Sequence, residues 1–192
     1  VENNRKQNFD LMGKIGALIM VTFSIVAAIK FVKSEQIFFV LLAIKNFIAS
    51  YYLFIRNPSQ DRMQSKYFSF VVYFSAALPL FYSANDNAVT RSILLAMDLC
   101  SIVGFSLMAM ALLDLGKSFG VTPANRGIVT SGIYRYFNHP MYIGYVIAEF
   151  GFALLGGLNL LLFGFSVILY LVRAKQENNV LGRNSNKTPA LG

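Results

Sequence analysis

The only histidine of the chain, His139, stands directly before Pro140, with Tyr134 and Arg135 upstream and Tyr142 downstream. A helix takes proline in its first turn, where the missing N–H had no partner, so a helix is expected to open at His139 and Pro140. Such a start turns unpaired N–H groups outward and offers a site for an anion. Farther along, Arg173 and Glu177 lie four residues apart, hence on one face of a helix. If the chain reverses between them and the histidine, an imidazole, a phenol, a guanidinium and a carboxylate gather at one place. No metal is expected: the single cysteine, Cys100, allows neither an internal disulfide nor a cysteine-based metal site, and one histidine speaks against a histidine-based one.

The elements that must position these groups are apolar. Hydrophobic residues make up 56% of the 192 and charged residues only 14%, against roughly 25% charged in soluble domains, so the chain reads as an integral membrane protein. Apolar runs occur over 15–32, 37–55, 67–84, 92–113, 140–155 and 158–172. The expected architecture is an all-α, multi-pass transmembrane bundle of about six spans, the last two forming a tight helical hairpin that reverses at Gly156 and Gly157. Residues 1–114 would supply the N-terminal helices, and 115–192 a polar loop, the hairpin and a tail, all one membrane unit. The polar VENNRKQNFD reads as a tail ahead of the first span.

Charge gives the orientation. Arg5, Lys6, Lys14, Arg56, Arg62, Lys66, Lys117, Arg126, Arg135, Arg173, Lys175, Arg183 and Lys187 all fall on the N-terminal side of this scheme, 13 of the 17 basic residues. Both termini and the central loop are therefore expected in the cytosol. Because the positive charges sit between apolar segments, the net charge of +8 sets topology, and nucleic-acid binding is set aside.

A reversal between Gly156 and Gly157 sets residue n near residue 313 minus n, so His139 and Tyr142 meet Arg173 and Glu177. Gly144, Ala148 and Gly151 form a stripe of small residues expected to let the two hairpin helices approach closely. Lys45, Asp98 and Glu149 lie inside apolar runs, where a charge is expensive and marks pairing or function. Lys45 and Asp98 fall at similar depth and are expected to pair; Glu149, seven residues after Tyr142, shares its helix face.

The stretch GIVTSGIYRYFNHPMYIG resembles the signature of the membrane-embedded isoprenylcysteine carboxyl methyltransferase family and its phospholipid methyltransferase relatives, approximately SGxYxxxRHPxYxG. Ser131, Gly132, Tyr134, His139, Pro140, Tyr142 and Gly144 match it, and Arg173 and Glu177 in RAKQEN match the arginine and acidic residue after the last helix. SFGVTPANRG is similar to the bacterial version of the preceding segment. Asn138 and Asn178 stand where the family usually has an arginine and a second acidic residue, and the tail GRNSNKTPALG differs from the usual aromatic and proline-rich ending.

This resemblance implies a methyltransferase of a bacterial cytoplasmic membrane, using S-adenosylmethionine at the cytosolic end of the last helices. Its acceptor would be a lipophilic or lipidated molecule entering from the bilayer, among membrane lipids. The residues implied for the cofactor are Gly132, Tyr134, His139, Pro140, Tyr142, Gly144 and Glu177. Arg173, Glu149 and Tyr145 are implied for the acceptor, with Arg173 and Glu177 the pair expected to carry the chemistry. An acceptor carboxylate needs no base, and a guanidinium grips it through two N–H donors. A lipid amine would have to lose a proton first, and a non-catalytic protein that keeps the fold is the third reading.

Overall fold

The computed structural model describes residues 2–57, 61–62, 66–83, 90–122, 124–126 and 128–185. Among the described residues six α-helices carry the chain: α1 (Glu2–Ser34), α2 (Ile37–Ile55), α3 (Lys66–Ala77), α4 (Arg91–Leu115), α5 (Pro140–Ala153) and α6 (Gly157–Ser185). The fold is all-α apart from a two-residue antiparallel ladder, β1 (Asp61–Arg62) against β2 (Ala124–Asn125), which ties the α2–α3 connection to the central loop. Pro58, Asn85 to Asn87, and Lys187 with the last residues lie outside the described part.

Among the described residues, four helical stretches are long and apolar enough to cross a bilayer: Met12–Ser34, Ile37–Ile55, Arg91–Ser118 and Gly157–Gly182. The chain is thus a multi-pass membrane protein, but two of the expected spans are short. The run over 67–84 is not one helix. Pro79 lacks an N–H and its ring crowds the carbonyl four residues back, so α3 ends at Ala77 and a 3₁₀ turn, Leu78–Phe81, follows. At 14 residues, α5 rises only about 21 Å at ~1.5 Å each. Conversely, α6 runs unbroken for 29 residues, because nothing in RAKQENN interrupts a helix. The N-terminal tail is also helical, a continuation of α1 from Glu2 with no proline or glycine before Met12 to stop it.

Two apolar clusters hold the bundle. One joins α2, α4, α5 and α6 through Phe38, Phe39, Phe105, Phe152 and Tyr170. Phe38 packs against Phe152 with ring centroids 4.5 Å apart, and edge-on against Phe105 at 5.3 Å. The other joins α1, α2 and α3 to the central loop through Met20, Leu53, Val72, Phe119 and Val121.

The small-residue stripe on α5 faces a different partner from the one expected. A Cβ on Gly144 would meet the Gly104 carbonyl and Met108 Cγ at 2.7 Å, and one on Gly151 would meet Met97 Cα at 2.7 Å. Thus α5 lies closest to α4, and the stripe seats α5 on α4 rather than on α6. The reason is that α4 offers its own glycine, Gly104, at the crossing, whereas α6 meets α5 through large rings such as Phe163 and Tyr170.

At the end opposite the site, Lys30 donates to the carbonyls of Leu80 and Tyr82 at 2.7 and 2.6 Å. Asn159 of α6 exchanges hydrogen bonds with the backbone of Ser83 at 3.1 and 2.8 Å. These bonds satisfy the exposed backbone left where Pro79 ended the helix.

Candidate functional site

The loop between α4 and α5 is shaped by one carboxylate. Gly132 has φ of +59°, and a Cβ there would collide with the Asp114 carboxylate, which accepts a hydrogen bond from the Ile133 N–H at 2.7 Å. Only glycine combines that conformation with that closeness. Asp114 at the end of α4 therefore pins the 3₁₀ turn Gly132–Arg135, and the turn delivers Tyr134 to the site. Gly132 and Gly144, both expected to bind cofactor, serve here to bring backbones together; neither lines the cavities described below.

The hairpin brings together what the sequence spacing places in register. His139 Nδ1 lies 3.5 Å from Glu177 Oε2, and Nε2 lies 3.0 Å from Asn178 Oδ1. Both ring nitrogens thus face oxygens that accept, and the bond to Glu177 raises the His139 pKa above its ordinary value, against the opposing effect of burial. Asn178, a departure from the family pattern, is a partner of the histidine.

Arg173 is 7% exposed and stacks on Tyr142, its Cζ 5.2 Å from the ring centroid. It donates to Ser75 Oγ at 3.0 Å and to the Val121 carbonyl at 3.4 Å, while its Nε has no partner among the described residues. Tyr134 also faces this cluster, and burial foremost, with the nearby Glu177 charge, pushes its phenol above the usual range.

Three cavities meet at His139. An inner one is walled by Tyr134, Tyr142, Tyr145, Arg173, Glu177 and Lys45. An outer, more polar one lies under the central loop between Thr122, Arg126, Thr130, Asn138, Glu177 and Asn178. There the Arg126 guanidinium lies over Gly120, where any Cβ would collide with it. The third is an apolar groove between α5 and α6, lined by Phe137, Ile143, Val146, Val167, Tyr170 and Leu171. Tyr142 and His139 belong to both the groove and the inner cavity.

Several expected placements change. The start of α5 is a poor anion site: Pro140 brings no N–H, and those of Tyr142 and Ile143 turn back to the His139 carbonyl at 3.1 and 3.3 Å. Positive charge for an anion comes instead from Arg173. Glu149 is 1% exposed and lines none of the three cavities; it accepts from Tyr82 at 2.9 Å and from Tyr170 at 2.5 Å. Tyr145 lines the inner cavity rather than the bilayer groove. Lys45 does not pair with Asp98. Its Nζ donates to the Tyr145 hydroxyl at 2.6 Å, because Lys45 points into the bundle. Asp98 is only half-buried, one residue past Met97, which faces α5.

With the buried guanidinium of Arg173 and its unpartnered Nε left to receive a carboxylate, the aromatic faces of Tyr134 and Tyr142 and the Glu177 carboxylate fit the cation, amino group and hydroxyls of S-adenosylmethionine. Tyr134, Tyr142 and Glu177 would hold it. The model of the isoprenylcysteine carboxyl methyltransferase (ICMT) family matches residues 97–183, from within α4 nearly to the end of α6. No curated protein and no solved structure matches the chain.

Proposed function

We propose, from the match of residues 97–183 to the isoprenylcysteine carboxyl methyltransferase family, that this membrane methyltransferase transfers a methyl group from S-adenosylmethionine to the carboxylate of a lipophilic, isoprenylcysteine-like acceptor. The observation that carries the reading is the junction at His139 and Tyr142, where a cavity walled by two buried cations, tyrosines and Glu177 adjoins an apolar groove between α5 and α6. A water-soluble donor and a lipid-soluble acceptor need two such compartments in contact.

When bound, S-adenosylmethionine supplies a methyl group on a positively charged sulfur. The chain's own task is then to bind and align. Arg173 holds the acceptor carboxylate with the N–H groups that Ser75 and Val121 leave free. Tyr142, between Arg173 and the groove, sets the depth to which the acceptor reaches, and its ring face attracts positive charge. Glu177 receives an amino or hydroxyl group, held in place by His139. A carboxylate oxygen is already anionic, so alignment and exclusion of water account for the rate without a base.

An amine acceptor would require a base, and the His139 ring offers no free nitrogen, since Glu177 and Asn178 occupy both sides. That weighs for the carboxylate. On the basic residues concentrated there, we assign the site end of the bundle to the cytosol.

The test separates binding from transfer. Glu177→Ala is expected to weaken S-adenosylmethionine binding by about 1–3 kcal/mol in calorimetric titration. Arg173→Ala is expected to abolish transfer of a labelled methyl to an isoprenylcysteine. Failure of the unmutated protein to bind S-adenosylmethionine would leave a non-catalytic membrane protein. Transfer to lipid amines alone would move the acceptor to the phospholipid branch.

A further inference from the structure

Two cations are buried in the wall of the inner cavity, and neither forms an ion pair with a carboxylate among the described residues. Lys45 of α2 is 4% exposed and Arg173 of α6 is 7% exposed. An ammonium has three donors. That of Lys45 gives one to the Tyr145 hydroxyl at 2.6 Å and lies 4.7 Å from the same ring's centroid. Arg173 donates only to neutral oxygens, and its Nε is unpartnered.

The carboxylates nearby are committed elsewhere. Glu177 faces His139 at 3.5 Å, and Glu149 sits behind the tyrosines, bonded by Tyr82 and Tyr170. A single aromatic stack links the two cations. Tyr145 stacks on Tyr170 at 5.0 Å, Tyr170 stacks on Tyr142 at 6.0 Å, and Arg173 lies over Tyr142. The stack fixes the distance between the charges while leaving both facing the same space. Glu149 and Glu177 act on Lys45 and Arg173 only from beyond ion-pair distance, and a buried charge without a direct partner is costly in a low-dielectric interior. A ligand carboxylate in the cavity would give both cations a direct partner.

We propose that Lys45 and Arg173 together form a carboxylate-binding site in the inner cavity, Arg173 as the directional fork and Lys45 as the point charge. The proposal rests on the methyl-transfer reading for the origin of the ligand: a carboxylate carried either by the nucleoside methyl donor or by the lipophilic acceptor. Lys45 precedes the family-matched residues 97–183, so the site is completed by a helix from the other half of the chain.

The experiment uses the full chain in detergent and four probes in two matched pairs. S-adenosylhomocysteine carries the donor's carboxylate and 5′-methylthioadenosine lacks it; N-acetyl-S-farnesylcysteine carries the acceptor's, and its carboxamide lacks it. Calorimetric titration of Lys45→Met is expected to show about a tenfold loss of affinity for the charged member of one pair, with its neutral counterpart unchanged, and Lys45→Arg is expected to restore most of it. Loss confined to the nucleoside pair assigns the carboxylate to the donor, and loss confined to the farnesyl pair assigns it to the acceptor; either supports the site. Affinities of Lys45→Met equal to the unmutated protein's for all four probes, or reduced equally for all four, would overturn it while methyl transfer still stood. No binding of any probe by the unmutated protein would overturn both. Lys45→Gln serves the same comparison should the methionine variant not fold.

Discussion

Replacing Gly104 by alanine tests whether the seat of α5 on α4 holds the site together. The new Cβ would lie 2.5 Å from both the Ala148 nitrogen and the Gly144 carbonyl oxygen, and 2.7 Å from the Ala148 Cβ. Two of these atoms are backbone and cannot rotate away, so α4 and α5 must part by about 1 Å to restore an ordinary contact. Overpacking of this kind costs about 1–3 kcal/mol. For a chain of this size that is about 2–12 °C in Tm. His139 and Tyr142 ride on the same end of α5, five and two residues before Gly144, while their partners Arg173 and Glu177 ride on α6. A misplacement of 1 Å between reacting groups lowers rates by about 10²-fold. Gly104→Ala is therefore expected to lose both thermal stability, followed by tryptophan-independent calorimetry in detergent, and methyl transfer. Gly164→Ala is the matched control: nothing lies within 4 Å of its Cβ, and alanine favours a helix by roughly 1 kcal/mol over glycine. If Gly104→Ala were as stable and as active as Gly164→Ala, the α4–α5 contact would not position the site.

His139 is the only histidine, so its ring gives one unambiguous NMR titration. Its pKa is expected above the ordinary ~6.5, because the bond to Glu177 raises it, and Glu177→Gln is expected to lower it. The linked stabilisation is fully present below the ordinary histidine pKa and is lost as pH rises through the raised value; a ring that titrates identically in both proteins would disprove the pairing. Orientation is read by labelling in a Cys100→Ser background: a cysteine at Asn87 is expected to react from outside the cell and one at Asn125 only after the membrane is opened, and the reverse would overturn the charge argument.

Much of the site was legible because it is local or follows from one reversal. Pro140 announces the start of α5, and the glycines at 156 and 157 announce the turn of the hairpin. Helix periodicity then carries His139 to Glu177 and Tyr142 to Arg173. The actual pairs sum to 315 or 316 rather than 313, which is within a turn. Lys45 was legible only as an anomaly, a cation inside an apolar run, and not as a wall of the cavity.

Hydropathy and loop charge by themselves determined that this is a helical membrane protein with a polar loop before a hairpin, since lipid solvent admits few backbones and each helix is specified by its own residues. Contacts between elements far apart in sequence were decided by tertiary structure alone. The stripe on α5 had two possible neighbours, and Gly104 selected α4 by offering the closer backbone approach. Lys45 had Asp98 at similar depth, yet rotation of α2 about its axis turned it to Tyr145, 100 residues away. Depth along a helix can be counted from the sequence; which way each helix faces is settled only when all six pack against one another.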